Sequence, residues 1–453
     1  MIDQLSIKYN VAAPRYTSYP TVPYWEQETF DQQRWSKALI HSAGHMDAGA
    51  GISIYIHLPF CESLCTYCGC NTRITKNHKV ERPYIAAVLK EWQLYLQLFE
   101  TRPVIKELHL GGGTPTFFSA ENLSFLISGI IQYADVHGDA AFSFEGHPEN
   151  TTAEHLQVLF DLGFRRISLG IQDFDPKVQF MINRFQSVEK VLEITALART
   201  LGYTSVNYDL IYGLPAQSME GLTETIKAVL QLRPDRIAFY SYAHVPWVKA
   251  GQRHFREEHL PSAALKQELY EKGREMLKAG GYEETGMDHF TLRSDALYVA
   301  EQSGKLHRNF MGYTDQYSRI MIGLGVSAIG DCWTGFAQNE KTVEGYLKLV
   351  EDGILPVVKG HLLNEEDLVI RQHILNIMCQ GRTSWASQDV QCPALYKGLE
   401  RMRELEEDGL VEIGLDDLQV TTAGKRFLRN ICMTLDARLW RKQPATQLFS
   451  MAV

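Results

Sequence analysis

Ten residues hold the densest chemistry in the chain. "CESLCTYCGC", positions 61 to 70, carries four of the eight cysteines, Cys61, Cys65, Cys68 and Cys70, in the spacing C-x3-C-x2-C-x-C. Thiols crowded in this way serve as a disulfide staple, a zinc knuckle, an iron–sulfur ligand set or a redox pair. The N-terminus, "MIDQLSIKYN", lacks the apolar run of a secretory signal. No uninterrupted apolar segment is long enough to span a bilayer. A cytoplasmic location is therefore expected, and stable disulfides are rare there. Structural zinc usually pairs two short-spaced knuckles separated by roughly a dozen residues or more. Cys332, Cys379, Cys392 and Cys432 are scattered and offer no second knuckle. A redox C-x-x-C at Cys65 and Cys68 would leave Cys61 without a role. Iron–sulfur clusters take thiolates from tight loops. Three ligands from C-x3-C-x2-C would leave one iron open, and an open position separates catalytic from structural metal sites. A cluster fits best, zinc next and a dithiol last.

A group bound there must be held by regular structure. From about residue 50, short β-branched or aromatic runs end in polar or glycine-rich residues, and an amphipathic stretch follows each. The runs are "ISIYIHLPF" (52–60), "IKELHLGGGTP" (105–115), "AFSFEGHPEN" (141–150), "RRISLGIQDF" (165–174), "SVNYDLIYGLP" (205–215) and "RIAFYSYAHVP" (236–246). Helical patterns lie between them, at 83–99, 120–133 and 219–232 among others. Such alternation predicts parallel strands joined by right-handed crossovers. Six units fit a partial barrel or an open doubly wound sheet, and the pattern alone leaves both open. In either, the C-terminal strand ends face one cleft. There the chain places the cysteines, the triplet Gly111, Gly112 and Gly113, then Glu145, Gln172 with Asp173, and Asp209. Each is an ordinary turn or cap residue by itself; five such strand ends together point to a ligand. The glycines allow close backbone approach and offer unhindered N–H groups.

The remainder of the 453 residues is organised around this repeat. Residues 1–50 read as an N-terminal arm that includes the extended "PRYTSYPT", 51–330 as the barrel with its extension, 331–360 as a connecting segment and 361–453 as a helix-rich module. Asn364 and Asp367 form an N-cap and first-turn acid. "GLVEIGLDDLQVTTAGKRFLRN" reads as a hairpin and then a helix, which is winged-helix-like. That module carries 11 Lys+Arg against 13 Asp+Glu, and the whole chain has a net charge of −9. A DNA-binding regulator would show a basic face. No nucleic-acid partner is expected.

At the cysteines the chain resembles the radical S-adenosylmethionine (SAM) superfamily. The resemblance rests on C-x3-C-x2-C with an aromatic, Tyr67, before the third cysteine, placed after the first strand of a βα repeat. It implies that Cys61, Cys65 and Cys68 bind a [4Fe–4S] cluster and that SAM chelates the open iron through its amino and carboxylate groups. One electron would then split SAM into methionine and a 5′-deoxyadenosyl radical. The glycine triplet looks like the superfamily's contact to the SAM amino group.

Longer stretches narrow the resemblance. "YNVAAPRYTSYPT", "CTYCGCNTRIT", "GGGTPT", "LGIQDF", "YDLIYGLP", "YAHVP", "GMDHF", "LHRNFMGYT" and "GVSAIGDC" are similar to the oxygen-independent coproporphyrinogen III oxidase family, from Tyr9 to the C-terminus. Cys70 is typical of that family and is not expected to ligate the cluster. The haem-chaperone branch, a non-catalytic haem-binding alternative, generally lacks both the "PRYTSYPT" arm and the fourth cysteine. "EGHPENT" stands where the more familiar form is "EVDP".

The family implies an α/β fold: a partial (β/α)6 TIM-like barrel with an N-terminal arm and a helix-rich, winged-helix-like C-terminal domain. It implies two SAM molecules per chain. One would be contacted by Tyr55, Gly112, Glu145 and Ile329, the other by Gly113, Thr114, Gln172, Arg184, Asp209 and Ala243. The side chains are chemically apt: Glu145 and Asp209 can accept from ribose hydroxyls or an ammonium, and Arg184 can clamp a carboxylate. The substrate would be coproporphyrinogen III. Hydrogen abstraction from a propionate β-carbon, then loss of carbon dioxide and one electron, leaves a vinyl group. Two such events, on rings A and B, give protoporphyrinogen IX. Arg15 and Arg308 are candidates for the propionates. The arm is expected to close over the macrocycle, with Tyr16 and Tyr19 covering its apolar face. A flavodoxin- or ferredoxin-like electron donor and a monomeric state complete the expectation.

Overall fold

The computed structural model describes residues 4–452, apart from 27, 29, 48, 49, 248 and 445. Six parallel strands form its centre: β1 (Ile52–Leu58), β2 (Val104–Gly112), β3 (Asp135–Gly146), β4 (Phe164–Gln172), β5 (Ser205–Tyr212) and β6 (Arg236–Ser241). They lie side by side in chain order. A doubly wound sheet reverses its strand order at a switch point. This one does not, so the winding is that of a barrel. The sheet stays open because further strands extend both edges. β7 (Glu283–Thr285) and β8 (His289–Thr291) follow β6, while β9 (Met321–Leu324), β10 (Ile329–Asp331), β11 (Gly335–Asn339) and β12 (Val357–Leu362) run outward from β1. The partial barrel expected from the sequence is the architecture observed. The segment read as a connection, 331–360, contributes to this same sheet through β11 and the start of β12.

The crossover helices are α1 (Glu81–Leu96), α2 (Ala120–Ile131), α3 (Ala153–Asp161), the short α4 (Pro176–Ile182), α5 (Val188–Leu201) and α6 (Met219–Leu232). Their limits follow from local chemistry. Ser119, Ser187 and Ser218 cap α2, α5 and α6 by accepting from the backbone three residues on. Gly202 ends α5 in the left-handed conformation, at φ 102°. α7 (Ala263–Ala279) packs beside α6.

The strands alternate sharply between their two faces. Ile54, Ile56, Leu108, Leu110, Phe142, Phe144, Ile167 and Leu169 belong to the main core beneath the helices. Each such side chain contributes about 1.5–3 kcal/mol on burial. The intervening positions are polar: Ser53 and Tyr55, Glu107 and His109, Ser143 and Glu145, Arg166 and Ser168, Asn207 and Asp209. Parallel sheets usually bury both faces in apolar contacts. Here one face forms a polar lumen instead, with a cavity of about 220 Å³ between Glu107, His109, Arg166, Asn207, Arg236 and His289.

The C-terminal module has its own apolar core and a three-stranded antiparallel sheet between helices, including α8 (Glu365–Gln380), α9 (Pro393–Glu407) and α10 (Leu428–Leu435). The hairpin and following helix match the winged-helix-like reading, and Asn364 with Asp367 forms a capping box. Tyr9, Tyr16 and Tyr19 of the arm belong to this core, and the Tyr16 hydroxyl donates to Asp436 at 3.2 Å. The two arm tyrosines expected to cover a macrocycle are therefore committed to packing.

Candidate active site

β1 runs straight into the cysteine loop. Cys61 ends a two-residue strand, Phe60–Cys61, paired with Arg73–Ile74, so the excursion over residues 62–72 returns beside its start. The loop forms one wall of a cavity of about 610 Å³, whose lining includes Cys61, Cys65, Cys68, Glu145, Arg184 and Asp209. Gly112, Gly113, Thr114 and Gln172 also line it, as does Cys70. Of the strand-end residues singled out from the sequence, all but Gly111 and Asp173 thus meet in one space; Asp173 is buried, accepting from Gln217 and Thr225 at 2.7 Å each. All four thiols are free. Among the described residues, no three His, Cys, Asp or Glu side chains converge as a single metal ion requires. Cys61, Cys65 and Cys68 share one wall, and an iron–sulfur cluster takes its thiolates from such a loop.

The glycine triplet is fixed by sterics. Gly112 has φ +118°, and a Cβ there would lie 2.8 Å from the His57 ring; one on Gly113 would lie 2.6 Å from the Pro59 carbonyl. The N–H groups of Gly112 and Gly113 are not left for a ligand, contrary to what the sequence suggested. Gly112 N–H donates to Glu145 at 3.3 Å and Gly113 N–H to the Leu58 carbonyl at 2.8 Å. What the turn can offer an ammonium is carbonyl oxygen.

Glu145 is aimed by two donors. Besides Gly112 N–H, His109 Nε2 lies 3.4 Å from its carboxylate, and His109 Nδ1 is 2.8 Å from Ser143 Oγ. Against the burial that would raise it, these contacts hold the Glu145 carboxyl below its ordinary range. Asp209 behaves oppositely: burial pushes it up to about 6, despite hydrogen bonds from Ser168 at 2.9 Å and Asn207 at 2.8 Å. Arg184 is buried, donates through Nε to the Gly170 carbonyl at 3.1 Å and turns Nη1 toward Cys65 Sγ at 3.7 Å. Thr114 Oγ1 lies 3.3 Å from Cys61 Sγ.

Three expected contacts lie outside the cavity wall. Tyr55 sits one layer below, its hydroxyl 3.0 Å from His57 Nδ1, while His57 Nε2 donates to the Asn71 carbonyl at 2.8 Å. Ile329 starts β10, beside Gly323, the residue that pairs with Tyr55. Ala243 follows β6 and lines a second cavity; Gln252 Nε2 donates both to its carbonyl and to that of Tyr67 in the cysteine loop. Arg308 lines neither cavity. It stacks on Tyr313 at 4.4 Å and donates to the Arg15 carbonyl at 3.5 Å, underpinning the arm. His57, His109, Ser143 and Ser168 were missed from the sequence. Their signal was the period-two polar alternation within the predicted strands.

Comparison with known proteins agrees with this geometry. Residues 55–229 match the model of the radical SAM superfamily. The oxygen-independent coproporphyrinogen III oxidase of Helicobacter pylori (strain J99) is 37% identical over 438 residues, covering 95% of each chain. That of Escherichia coli (strain K12) is 36% identical over 454 residues, covering 98% of this chain and 97% of its own. The solved structure of coproporphyrinogen III oxidase (HemN) from Escherichia coli, a radical SAM enzyme, superposes with a TM-score of 0.89 at 35% identity, over 96% of this chain and 98% of that one. The chain belongs to the oxygen-independent coproporphyrinogen III oxidase family of radical SAM enzymes.

Proposed function

We propose that this chain oxidatively decarboxylates the ring A and ring B propionates of coproporphyrinogen III to vinyl groups without oxygen, giving protoporphyrinogen IX. The observation that carries the reading is the single cavity that unites Cys61, Cys65 and Cys68 with Glu145, Arg184 and Asp209. Cys61, Cys65 and Cys68 hold a [4Fe–4S] cluster in this reading. When bound, the cluster and SAM supply a carbon radical able to take a hydrogen atom from a propionate. The chain's own residues bind and orient. Carbonyls of the glycine turn and the carboxylate of Glu145 would receive the ammonium of one SAM, with Tyr55 and Ile329 supporting that floor from the layer below. Arg184 offers Nη1 to a carboxylate of a second SAM, and Asp209, Gln172, Gly113, Thr114 and Ala243 complete that site. Glu145 is held ionised by His109 and Gly112, so it needs no reorganisation to accept a cation. The arm and the C-terminal residues line the adjoining cavity and would shield that side of the site from water.

The electron arrives from a flavodoxin- or ferredoxin-like donor, and the enzyme works as a cytoplasmic monomer. Among the described residues, no helix is long and apolar enough to cross a membrane. Anaerobic incubation of the reconstituted protein with coproporphyrinogen III, SAM and a chemical reductant tests the reading. Protoporphyrinogen IX, methionine and 5′-deoxyadenosine are the expected products. Cleavage of SAM with unchanged porphyrinogen would reject it.

A further inference from the structure

A second cavity of about 790 Å³ lies between the arm, the end of β6, α7 and the C-terminal residues. It adjoins the first at the end of β6, where Tyr240 lines the cysteine cavity and Ser241 to Ala243 line this one. Part of its wall is aromatic: the Tyr212 ring packs 4.9 Å from Phe239 and 5.2 Å from Tyr270. Cations line it as well: Arg15, Lys266 and Arg429 converge from three distant parts of the chain, and Arg426, paired with Glu271 at 2.7 Å, stands beside them.

Among the described residues, the first three cations donate to backbone carbonyls rather than to carboxylates. Arg15 Nη2 donates to the Ser241 carbonyl at 2.9 Å and Lys266 Nζ to the Tyr242 carbonyl at 3.0 Å. Arg429 spends its donors on the carbonyls of Ala13, Pro14, Ser450 and Met451, among others, and ties the arm to the C-terminal residues. Among the described residues, none of the three is within ion-pair distance of a carboxylate. Asp288 and Glu257 also line the cavity: Glu257 is exposed at the rim, and Asp288, 2.7 Å from His289, is held low against its burial by His289 and by the charges of Arg308 and Arg15, so one buried carboxylate faces three cations. Burial and the nearby charges of Arg15 and Arg429 push the Lys266 ammonium down to about 8. A buried ammonium beside two guanidiniums is stabilised by a bound anion.

We infer that this second cavity is a carboxylate site that grips the propionates the reaction leaves intact, with Lys266 and Arg15 as direct partners and the aromatic wall against the macrocycle. The identity of the ligand rests on the proposed reaction. The chemistry fits a body that is apolar with a carboxylate rim. The same cations would also suit the carboxylate of a SAM molecule, so the test separates the two sources.

Coproporphyrin III, the stable oxidised tetracarboxylate, is titrated anaerobically by fluorescence into cluster-loaded protein, with its uncharged tetramethyl ester in parallel and SAM binding followed by equilibrium dialysis. Lys266→Met and Arg15→Gln are each expected to weaken coproporphyrin at least about tenfold, the loss of one charge-assisted contact. Lys266→Arg stays within about threefold of wild type. Lys272→Met, a half-buried surface position on the same helix paired with Glu275, changes nothing. The ester and SAM bind all variants alike. Unchanged coproporphyrin affinity in both charge-removing variants overturns the inference. So does loss of SAM binding with porphyrin affinity retained, which would assign the cations to SAM. Circular dichroism checks folding, and Arg15→Gln carries the test if Lys266→Met unfolds. Charge-dependent porphyrin binding without any turnover would reject the proposed reaction and leave the site standing.

Discussion

The two cavities share the end of β6 and differ in almost everything else. The first is built from strand ends, its sulfur and carboxylate groups delivered by short motifs. The second is built from the arm, a helix and the C-terminal residues, and its cations arrive singly from positions 15, 266 and 429. One is chemically aggressive and held rigid: a glycine turn that admits no Cβ, a carboxylate fixed by two donors. The other is electrostatic and depends on tertiary packing that brings the arm home. The difference teaches that generating a radical and gripping a substrate place separate demands on a chain. The first demands local geometry, the second net charge and enclosed area.

The sharpest way to break the first cavity is to remove a thiol. Cys61→Ala, Cys65→Ala and Cys68→Ala should each lose the cluster, measured as iron content and visible absorbance after anaerobic reconstitution. Cys70→Ser should keep it. Full iron in any of the three alanine variants would remove that residue from the ligand set. Arg184→Ala tests the next level. Iron should remain while SAM stoichiometry falls from two per chain toward one; a wild-type value of one would end the two-site proposal.

A subtler probe is Gly112→Ala. A residue other than glycine at φ +118° costs roughly 1–2 kcal/mol, and the new methyl also presses on His57. Thermal stability should drop by several degrees and SAM affinity with it, because Glu145 takes its second donor from this residue. Wild-type SAM affinity in a folded variant would show that the turn does not position Glu145.

The last effect is a pH dependence, visible only as a difference between pH values. Asp209 is raised by burial from its usual 3.8 to about 6. Its protonated form favours the folded state, fully so below about pH 4, and this advantage disappears as the pH rises through 6. Asp209→Asn should therefore be more stable than wild type at pH 8, by on the order of 2–3 kcal/mol at most, and the two should converge near pH 4. Melting temperatures across that range measure it. A gap that stays constant with pH would contradict the assignment. No comparable motif signature exists for the second cavity, where only charge removal is diagnostic.

Legibility in the sequence follows the same division. The strands and crossovers were readable because apolar runs of the right length ended in turn residues; α6 was expected at its observed limits, Met219–Leu232. Cys61, Cys65, Cys68, Glu145 and Asp209 were readable because strand topology alone carries them to one end. Arg184 and Ala243 came only from family resemblance, since a buried arginine and an ordinary solvated one look identical in sequence. Lys266 and Arg429 had no signal, because what makes them informative is mutual proximity without a carboxylate. The arm was misread in part. Tyr16 and Tyr19 have the composition of a ligand cover, but the C-terminal core offered them a larger apolar surface. The connecting segment hid its strands because β11 and β12 are antiparallel additions at a sheet edge, outside the βα rhythm.

One measurement tests the division of labour between the cavities directly: 5′-deoxyadenosine and protoporphyrinogen IX quantified together in anaerobic turnovers of wild type, Cys65→Ala and Arg15→Gln. Wild type should form both in a fixed proportion, and Cys65→Ala neither. Arg15→Gln, with normal iron, should still cleave SAM while the yield of porphyrinogen per deoxyadenosine falls several-fold. A ratio in Arg15→Gln equal to that of wild type would contradict the account.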